Sequence, residues 1–142
     1  MSNASAIAAD TLQAYRETNY HVFAQPPFVL RAGLHSSPLA ALHRQAGVDC
    51  SAFLTACNPF SQRLEARINA ARELDLKAAL ARAGLPFLDG LGQHPSNHWP
   101  GEASVLVLGM GQAAARTLAA HYEQNALLWM GADTLVQLVL MR

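Results

Sequence analysis

The chain has 142 residues, of which 51% are hydrophobic and 14% charged, and its ten basic side chains balance its ten acidic ones. This composition is unlike that of disordered proteins, which have few apolar residues and high net charge, and it predicts a single folded domain over residues 1–142. The lack of net charge argues against a general nucleic-acid coating protein, and the apolar runs are far shorter than the roughly 20 residues that cross a membrane.

The N-terminal segment and the two cysteines bear on the cellular compartment. Residues 1–9 contain neither a basic nor a sustained apolar stretch, so they do not resemble a secretory signal, and we expect a cytoplasmic protein with residues 1–5 disordered. Cys50 and Cys57 stand at the two ends of a predicted strand and therefore cannot form a disulfide with each other. Both are interpreted as buried or half-buried thiols. Cys57, just before a predicted helix, is the better candidate for a reactive thiol with a lowered pKa.

The N-terminal half is predicted to contain two helices and three strands. Apolar residues at helical spacing predict an amphipathic helix over residues 6–18. Two short strands, over residues 20–24 and 28–31, follow on either side of a Gln-Pro-Pro bend. A Ser-Pro start and a glycine stop bound a short helix over residues 38–46. The apolar run at residues 50–57 predicts a central strand, which an Asn-Pro pair ends.

The longest helix is predicted over residues 62–83, with Ser61 as the capping residue at its start. An apolar face that includes Ile68 is predicted to pack inward. Beside this face runs a polar stripe at helical spacing, made of Ser61, Glu65, Asn69 and Arg72. Glu73 and Lys77, four residues apart, are predicted to form an ion pair on the solvent side.

The C-terminal part begins with a Gly- and Pro-rich loop, residues 85–101, in which only residues 87–88 are predicted as a short strand. Beyond the loop the pattern predicts one helix among three strands, in the order strand 104–109, helix 112–122, strand 126–130 and strand 135–141. The order of all these elements predicts a protein of the α/β class in the broad sense, and of the α+β type within it. We expect a mixed β-sheet covered by three to four helices.

One glycine motif resembles a dinucleotide-binding fingerprint. Gly109 and Gly111 open a G-x-G-x-x-A pattern that follows a predicted strand and begins a predicted helix, with Asp133 about 20 residues further on. Only nine residues follow Asp133, too few for the rest of such a fold. The preferred interpretation is a glycine-permitted turn, and whether it binds a phosphate stays open.

The histidines do not predict a metal site. His94 and His98 are four residues apart, but they lie in the proline-rich loop, where this spacing carries no helical geometry. A structural zinc site would need a second pair of ligands. We therefore predict no metal and no cofactor.

Several short motifs resemble the bacterial family called domain of unknown function 3293, from about Leu12 to the C-terminus. The matching positions are Tyr15, Thr18 and Tyr20, then Asn58, Pro59, Ser61 and Asn69, then Trp99 and Glu102, and finally Gln124, Asn125 and Ala126. Two positions depart from the family pattern: Cys57 replaces an aromatic residue, and Tyr122-Glu123 replaces Phe-Gly. The resemblance implies no particular reaction.

The side chains in these motifs are mostly amides and hydroxyls, and no catalytic pair is recognisable. They are interpreted either as local structural ties or as a polar cleft in which Arg72 would hold a carboxylate or phosphate. The candidate ligand-binding residues are Asn58, Ser61, Glu65, Asn69, Arg72, Gln124 and Asn125, with Trp99 and Glu102 as a possible lid. Tyr15 and Tyr20 are interpreted as core residues with a polar tip.

Two functions are compatible with this pattern. The preferred hypothesis is a non-catalytic binding module for a small anionic ligand or a protein partner. The alternative is a small enzyme acting on a phosphorylated or nucleotide-like substrate, with Arg72 orienting it and Glu65 or Glu102 as the base. Nucleic-acid binding would need a basic patch that Arg63, Arg67 and Arg72 supply only in part. The oligomeric state is left open.

Overall fold

A curled antiparallel β-sheet organises the chain in the computed structural model, which describes residues 6–142. The strands are Asn19–Val22 (β1), Phe28–Leu30 (β2), Ser51–Leu54 (β3), Phe87–Gln93 (β4), Glu102–Leu108 (β5), Ala126–Met130 (β6) and Gln137–Leu140 (β7). Their order across the sheet is β2-β1-β4-β5-β3-β6-β7. The helices are Ala9–Glu17 (α1), Ser37–Ala46 (α2), Ala66–Arg82 (α3) and Gln112–His121 (α4).

The predicted α+β class, the single domain and the four helices are confirmed. The expected mixture of parallel and antiparallel pairing is wrong, since every strand pair formed by residues 6–142 is antiparallel. Helices α3 and α4 do connect strands that run in the same direction, as crossovers do. In each case another strand lies between the two: β5 separates β3 from β4, and β3 separates β5 from β6.

The two faces of the sheet carry separate cores, because successive side chains of a strand point to opposite faces. Ala52 and Leu54 of β3 pack with α3 and α4, in a core that includes Leu76 and Leu80. Phe53 points to the other face, in a second core that includes residues of α2. The strands and helices therefore form a layered domain with β3 near its centre.

The orientation of α3 differs from the prediction. Its buried residues are Glu73, Leu76 and Leu80, whereas Ile68, predicted to face inward, is 40% exposed. Lys77 pairs with Asp89, at 2.8 Å, and not with Glu73. The many alanines of this helix give its faces little contrast in hydrophobicity, so the sequence pattern does not define which face is buried.

Glu73 is a buried carboxylate rather than a surface one. Its Oε1 accepts hydrogen bonds from the backbone N–H of Ala56, at 2.6 Å, and from the hydroxyl of Thr55, at 3.1 Å. Its Oε2 is buried without a hydrogen-bond partner within residues 6–142. Burial is the main cause that raises the pKa of Glu73 from 4.5 to about 7. This side chain attaches α3 to the end of β3.

Three further expectations are corrected. The predicted loop 85–101 contains a strand of seven residues, since β4 extends to Gln93 and pairs with β1 and β5. The strand predicted over residues 50–57 ends at Leu54, and α3 starts only at Ala66, so only a short 3₁₀ turn and no α-helix follows Cys57 directly. Burial raises the pKa of the Cys57 thiol to about 11, opposite to the lowering expected of a reactive thiol.

The glycine motif at the start of α4 is a turn in an antiparallel context. Gly109 has a φ of +79°, which glycine adopts without strain, and its strand β5 pairs antiparallel with both neighbours. Asp133 accepts a hydrogen bond from the N–H of Leu135 in the turn before β7. The parallel strands of a dinucleotide-binding fold are absent from residues 6–142.

No helix of the described chain is both long and apolar enough to cross a bilayer. The prediction of a disordered terminus concerns residues 1–5, which lie outside the described residues.

Two glycines of β4 provide a matched test of packing. A Cβ on Gly90 would lie 2.6 Å from the carbonyl oxygen of His21 and 2.7 Å from the Phe53 ring, whereas a Cβ on Gly92 would make only ordinary contacts with Tyr20. We expect Gly90→Ala to lower the free energy of unfolding by about 1 to 3 kcal/mol. Gly92→Ala should change it by less than about 0.5 kcal/mol. Urea denaturation of both variants checks this, and equal effects would contradict it.

The carboxyl of Glu73 should make stability depend on pH. Because its pKa is raised in the folded chain, its contribution is complete below pH 4.5 and is lost as the pH rises to 7. We expect the free energy of unfolding, relative to that of Glu73→Gln, to fall by about 2 to 3 kcal/mol over this range. Denaturant titrations at several pH values measure it. Glu65→Gln, which removes an exposed carboxylate, is the control. The expectation is contradicted if the difference in unfolding free energy between wild type and Glu73→Gln does not change with pH.

Candidate functional site

A cavity of about 330 Å³ lies between α1 and the sheet face that carries Phe53. Phe53, Leu128 and Leu138 give it an apolar lining from the sheet. Its polar lining comes from α1, from the segment that follows β3, from the start of β5 and from the loop between β4 and β5. We call this space the α1 cavity.

Glu102, the first residue of β5, places a partly buried carboxyl in the wall of the α1 cavity. Its Oε2 accepts a hydrogen bond from Asn58 Nδ2, at 2.6 Å, and a longer one from Trp99 Nε1, at 3.4 Å. Its Oε1 has no hydrogen-bond partner within residues 6–142. Burial raises the pKa of Glu102, and the hydrogen bonds from Asn58 and Trp99 oppose this rise.

Asn58 holds the segment after β3 in place. It has a φ of +49°, a left-handed conformation that asparagine tolerates better than most residues. Its Oδ1 accepts from the backbone N–H of Leu64 and from Asn69 Nδ2, both at 2.8 Å, and its own N–H donates to Asn69 Oδ1 at 2.9 Å. The structure therefore brings Asn58 and Asn69 together, and Asn69 acts as a structural tie outside the cavity lining.

Ser61 belongs to a cluster of hydroxyl and amide groups. Its Oγ lies 2.6 Å from the hydroxyl oxygen of Tyr15, and Asn125 Nδ2 donates to Ser61 Oγ at 3.0 Å and to the Tyr15 oxygen at 3.2 Å. Ser61 and Tyr15 line the cavity, and Asn125 lies behind them. Ser61 does not cap α3, which begins at Ala66, so that expectation is wrong.

The turn that contains Ser61 is fixed by a backbone contact across the chain. The N–H of Phe60 donates to the carbonyl of Glu123 at 2.6 Å, and Ser61 has a φ of +59°. This contact holds the 3₁₀ turn Pro59–Ser61 against the segment before β6. The Ser61 hydroxyl is thereby directed to Tyr15 and Asn125 instead of to the first turn of α3.

Arg72 and Glu65 do not contribute to the cavity. The Arg72 guanidinium donates to the carbonyls of Ala56 and Tyr122, both at 2.6 Å, so it ties the end of β3 to the end of α4. Glu65 is exposed and pairs with Arg67 at 3.1 Å. Of the seven candidate ligand-binding residues, three line the cavity: Asn58, Ser61 and Gln124. Gln124 is buried, and its Nε2 donates to the carbonyls of Cys57 and Tyr122.

The loop between β4 and β5 closes one side of the α1 cavity. Trp99, 36% exposed, and Glu102 both line the cavity, as do His94 and Asn97. His94 Nδ1 accepts from the backbone N–H groups of Ser96 and Asn97, so its Nε2 carries the hydrogen that is donated to Glu17 of α1, at 2.8 Å. One histidine thus shapes this loop and joins it to α1.

Some lining residues were missed as site residues by the sequence analysis. Tyr15 and Tyr20 were interpreted as core residues, and Thr55 and His94 were given no role in ligand binding, yet all four line the cavity. The two tyrosines belong to the family-like motif at the start of the chain, which was the available signal. Thr55 and His94 reach the cavity only through the pairing of β3, β4 and β5, which the sequence does not show.

No cluster of three or more His, Cys, Asp or Glu side chains within residues 6–142 is arranged to hold a metal ion. The ionisable groups that line the cavity from α1, the loop and β5 are, besides the two tyrosines, Asp10, His94 and Glu102. No lysine or arginine of the described chain lines it. The cavity therefore presents acidic and hydroxyl groups.

Comparison with known protein families gives a match over the middle of the chain. The family model described as "Protein of unknown function (DUF3293)" matches residues 54–127, about half of the chain, a range that includes Asn58, Ser61, Trp99 and Glu102. Neither the curated proteins nor the solved structures include one that matches this chain significantly.

The contacts of Arg72 predict a structural role. We expect Arg72→Ala to lower the free energy of unfolding by about 1.5 to 3 kcal/mol, since two carbonyls lose a charged donor. Arg67→Ala removes an exposed arginine from the same helix and should cost less than about 1 kcal/mol. Thermal and urea denaturation measure both. A fully stable Arg72→Ala protein would contradict this role.

Proposed function

Since this chain belongs to the DUF3293 family, whose description assigns no activity, we propose from the site itself that the domain binds a small organic molecule in the α1 cavity. The preferred role is non-catalytic binding. Cavities of about 300 to 1,000 Å³ with apolar walls and a few polar groups are typical of small-molecule sites, and this one has about 330 Å³.

The observation that carries this proposal is the incomplete hydrogen bonding of Glu102. One oxygen of the carboxyl is held by Asn58 and Trp99, while the other lacks a partner within the described residues. This second oxygen is not a buried atom, so a donor on a bound molecule can reach it and form a hydrogen bond in the partly water-shielded wall of the cavity. The fixed orientation of Glu102 means that little rotamer entropy is lost when the ligand binds.

The shape of the lining supports an amphipathic ligand. The apolar side chains of Phe53, Leu128 and Leu138 suit a hydrocarbon or aromatic body, and Glu102 suits a polar head. A small anion, the ligand class expected from the sequence, is not supported. Arg72, the expected partner of the anion, donates to two backbone carbonyls instead. The acidic groups of the cavity lining would also repel an anion.

A second candidate function, catalysis on the bound molecule, is favoured by one specific observation. The hydroxyls of Ser61 and Tyr15 are 2.6 Å apart in the wall of the cavity that also holds Glu102, whose raised pKa suits an acid–base group. In this case Glu102→Gln would abolish turnover of an identified ligand and leave its binding measurable. Under the binding hypothesis no ligand is converted.

Binding in the cavity can be tested with a variant that fills it. Ala14 of α1 lines the cavity, whereas Ala9 of the same helix is exposed and does not. We expect some members of a library of neutral and charged fragments to bind wild type. Ala14→Leu should lower their affinity about tenfold, because the added side chain occupies part of the cavity. Ala9→Leu is the matched control and should bind them unchanged.

Tryptophan fluorescence shows whether a fragment binds in the α1 cavity. The chain has two tryptophans, and in Trp129→Phe the only one left is Trp99, which lines the cavity. Titration of each fragment should change the emission of this variant. Fragments that bind Ala14→Leu and wild type equally well, or a library in which nothing binds, would contradict the proposed function.

A further inference from the structure

We propose that the α1 cavity selects a primary amine with an apolar body, whose ammonium group pairs with Oε1 of Glu102. This inference rests on the proposed binding function and specifies the ligand class of the same site. It depends on the charge of the lining, on the hydrogen-bonding groups that remain unused there, and on the apolar residues opposite them.

The charge of the lining favours a cation. Among residues 6–142, Asp10 and Glu102 are the carboxyl groups of the lining, and His94 is its only basic side chain. Both ring nitrogens of His94 are engaged, with the loop and with Glu17. No lysine or arginine within residues 6–142 lines the cavity to balance Glu102. A carboxylate in a partly desolvated site is stabilised strongly by an opposite charge at hydrogen-bond distance.

The hydrogen-bonding inventory around Glu102 favours a donor. At the Glu102 carboxyl, one N–H of Asn58 and the indole N–H of Trp99 already donate to Oε2, and Gln124 Nε2 donates to two backbone carbonyls. Tyr20 donates its hydroxyl hydrogen to the carbonyl of Tyr15, at 2.7 Å, so its oxygen is left as an acceptor. An ammonium group has three donors and no acceptor, which matches this inventory. A carboxylate or phosphate would bring only acceptors.

The remaining lining suits the body of such an amine. Phe53, Leu128 and Leu138 offer an apolar surface, so a chain of several methylene groups or an aromatic ring gains free energy on leaving water. The rings of Tyr20 and Trp99 also line the cavity and attract a cation placed over their faces.

The test compares matched ligands that differ only in their head group. Wild type is titrated calorimetrically with hexylamine, 1-hexanol and hexanoate, and with 2-phenylethylamine, 2-phenylethanol and phenylacetate. We expect each amine to bind at least about tenfold more tightly than its alcohol, and each carboxylate to bind more weakly than the alcohol. An alcohol or a carboxylate that binds as tightly as its amine overturns the inference. This comparison needs only the unmodified protein.

The variant Glu102→Gln tests whether the preference for amines over alcohols depends on this one residue. The new amide can still accept hydrogen bonds from Asn58 and Trp99, but it places an N–H₂ group where Oε1 stands and so opposes an ammonium. We expect the preference for amines over alcohols to disappear in this variant and to persist in Glu65→Gln, which removes an exposed carboxylate outside the cavity. A preference that survives Glu102→Gln overturns the assignment.

The failure of this inference can be told apart from that of the proposed function. If alcohols or other fragments bind in a manner sensitive to Ala14→Leu but amines have no advantage, the ligand class is wrong and the binding function stands. If neither the alkyl and phenyl series nor the fragment library binds, both are wrong.

Discussion

The amide side chain of Asn58 is the contact on which the arrangement of the site depends. It binds the N–H of Leu64 and the side chain of Asn69 on α3, which follow it closely in the chain, and also the carboxyl of Glu102 on β5, which is 44 residues away. A left-handed residue at the end of a central strand can direct its side chain back across the next segment. The donor that orients Glu102 is thus built into the turn after β3, and the shape of the α1 cavity follows from it.

Two carboxyl groups on either side of this turn illustrate how an incomplete set of hydrogen bonds can have different consequences. Glu73 and Glu102 each have one well-bonded oxygen and a raised pKa. The other oxygen of Glu73 is buried in the protein, where it can only reduce stability at neutral pH. Glu102 lines a cavity, so the missing partner can be supplied by a ligand. Arg72, on the same helix as Glu73, completes the connection by holding the carbonyls of Ala56 and Tyr122.

The elements with local signals could be predicted well. The glycine stop of α2 is observed, with Gly47 in the left-handed region, and the helix starts within one residue of the prediction. The capping residue that accepts from the N–H of Leu39 is Ser36, whereas Ser37 of the Ser-Pro pair was expected to cap. Strands β3 and β6 were placed by their apolar runs. Only the first two residues of β4 were predicted, because its glycines, Gly90 and Gly92, resemble loop residues. Gly90 is suited to the strand by the close approach of His21 and Phe53, which the sequence does not show. The prediction of which face of α3 is buried was also wrong, because the faces of an alanine-rich helix differ little in hydrophobicity.

By itself, the sequence determined the α+β class, most of the helices and strands, and the family. These follow from local propensities, turn residues and short motifs. Only the tertiary structure decided that Arg72 binds backbone carbonyls, that Ser61 contacts Tyr15 and Asn125, and that one oxygen of Glu102 has no hydrogen-bond partner within residues 6–142. The physical reason is the antiparallel sheet order, which inserts β5 and β3 between the strands that α3 and α4 connect. Contacts between residues so far apart in the chain depend on strand register, which no local pattern encodes.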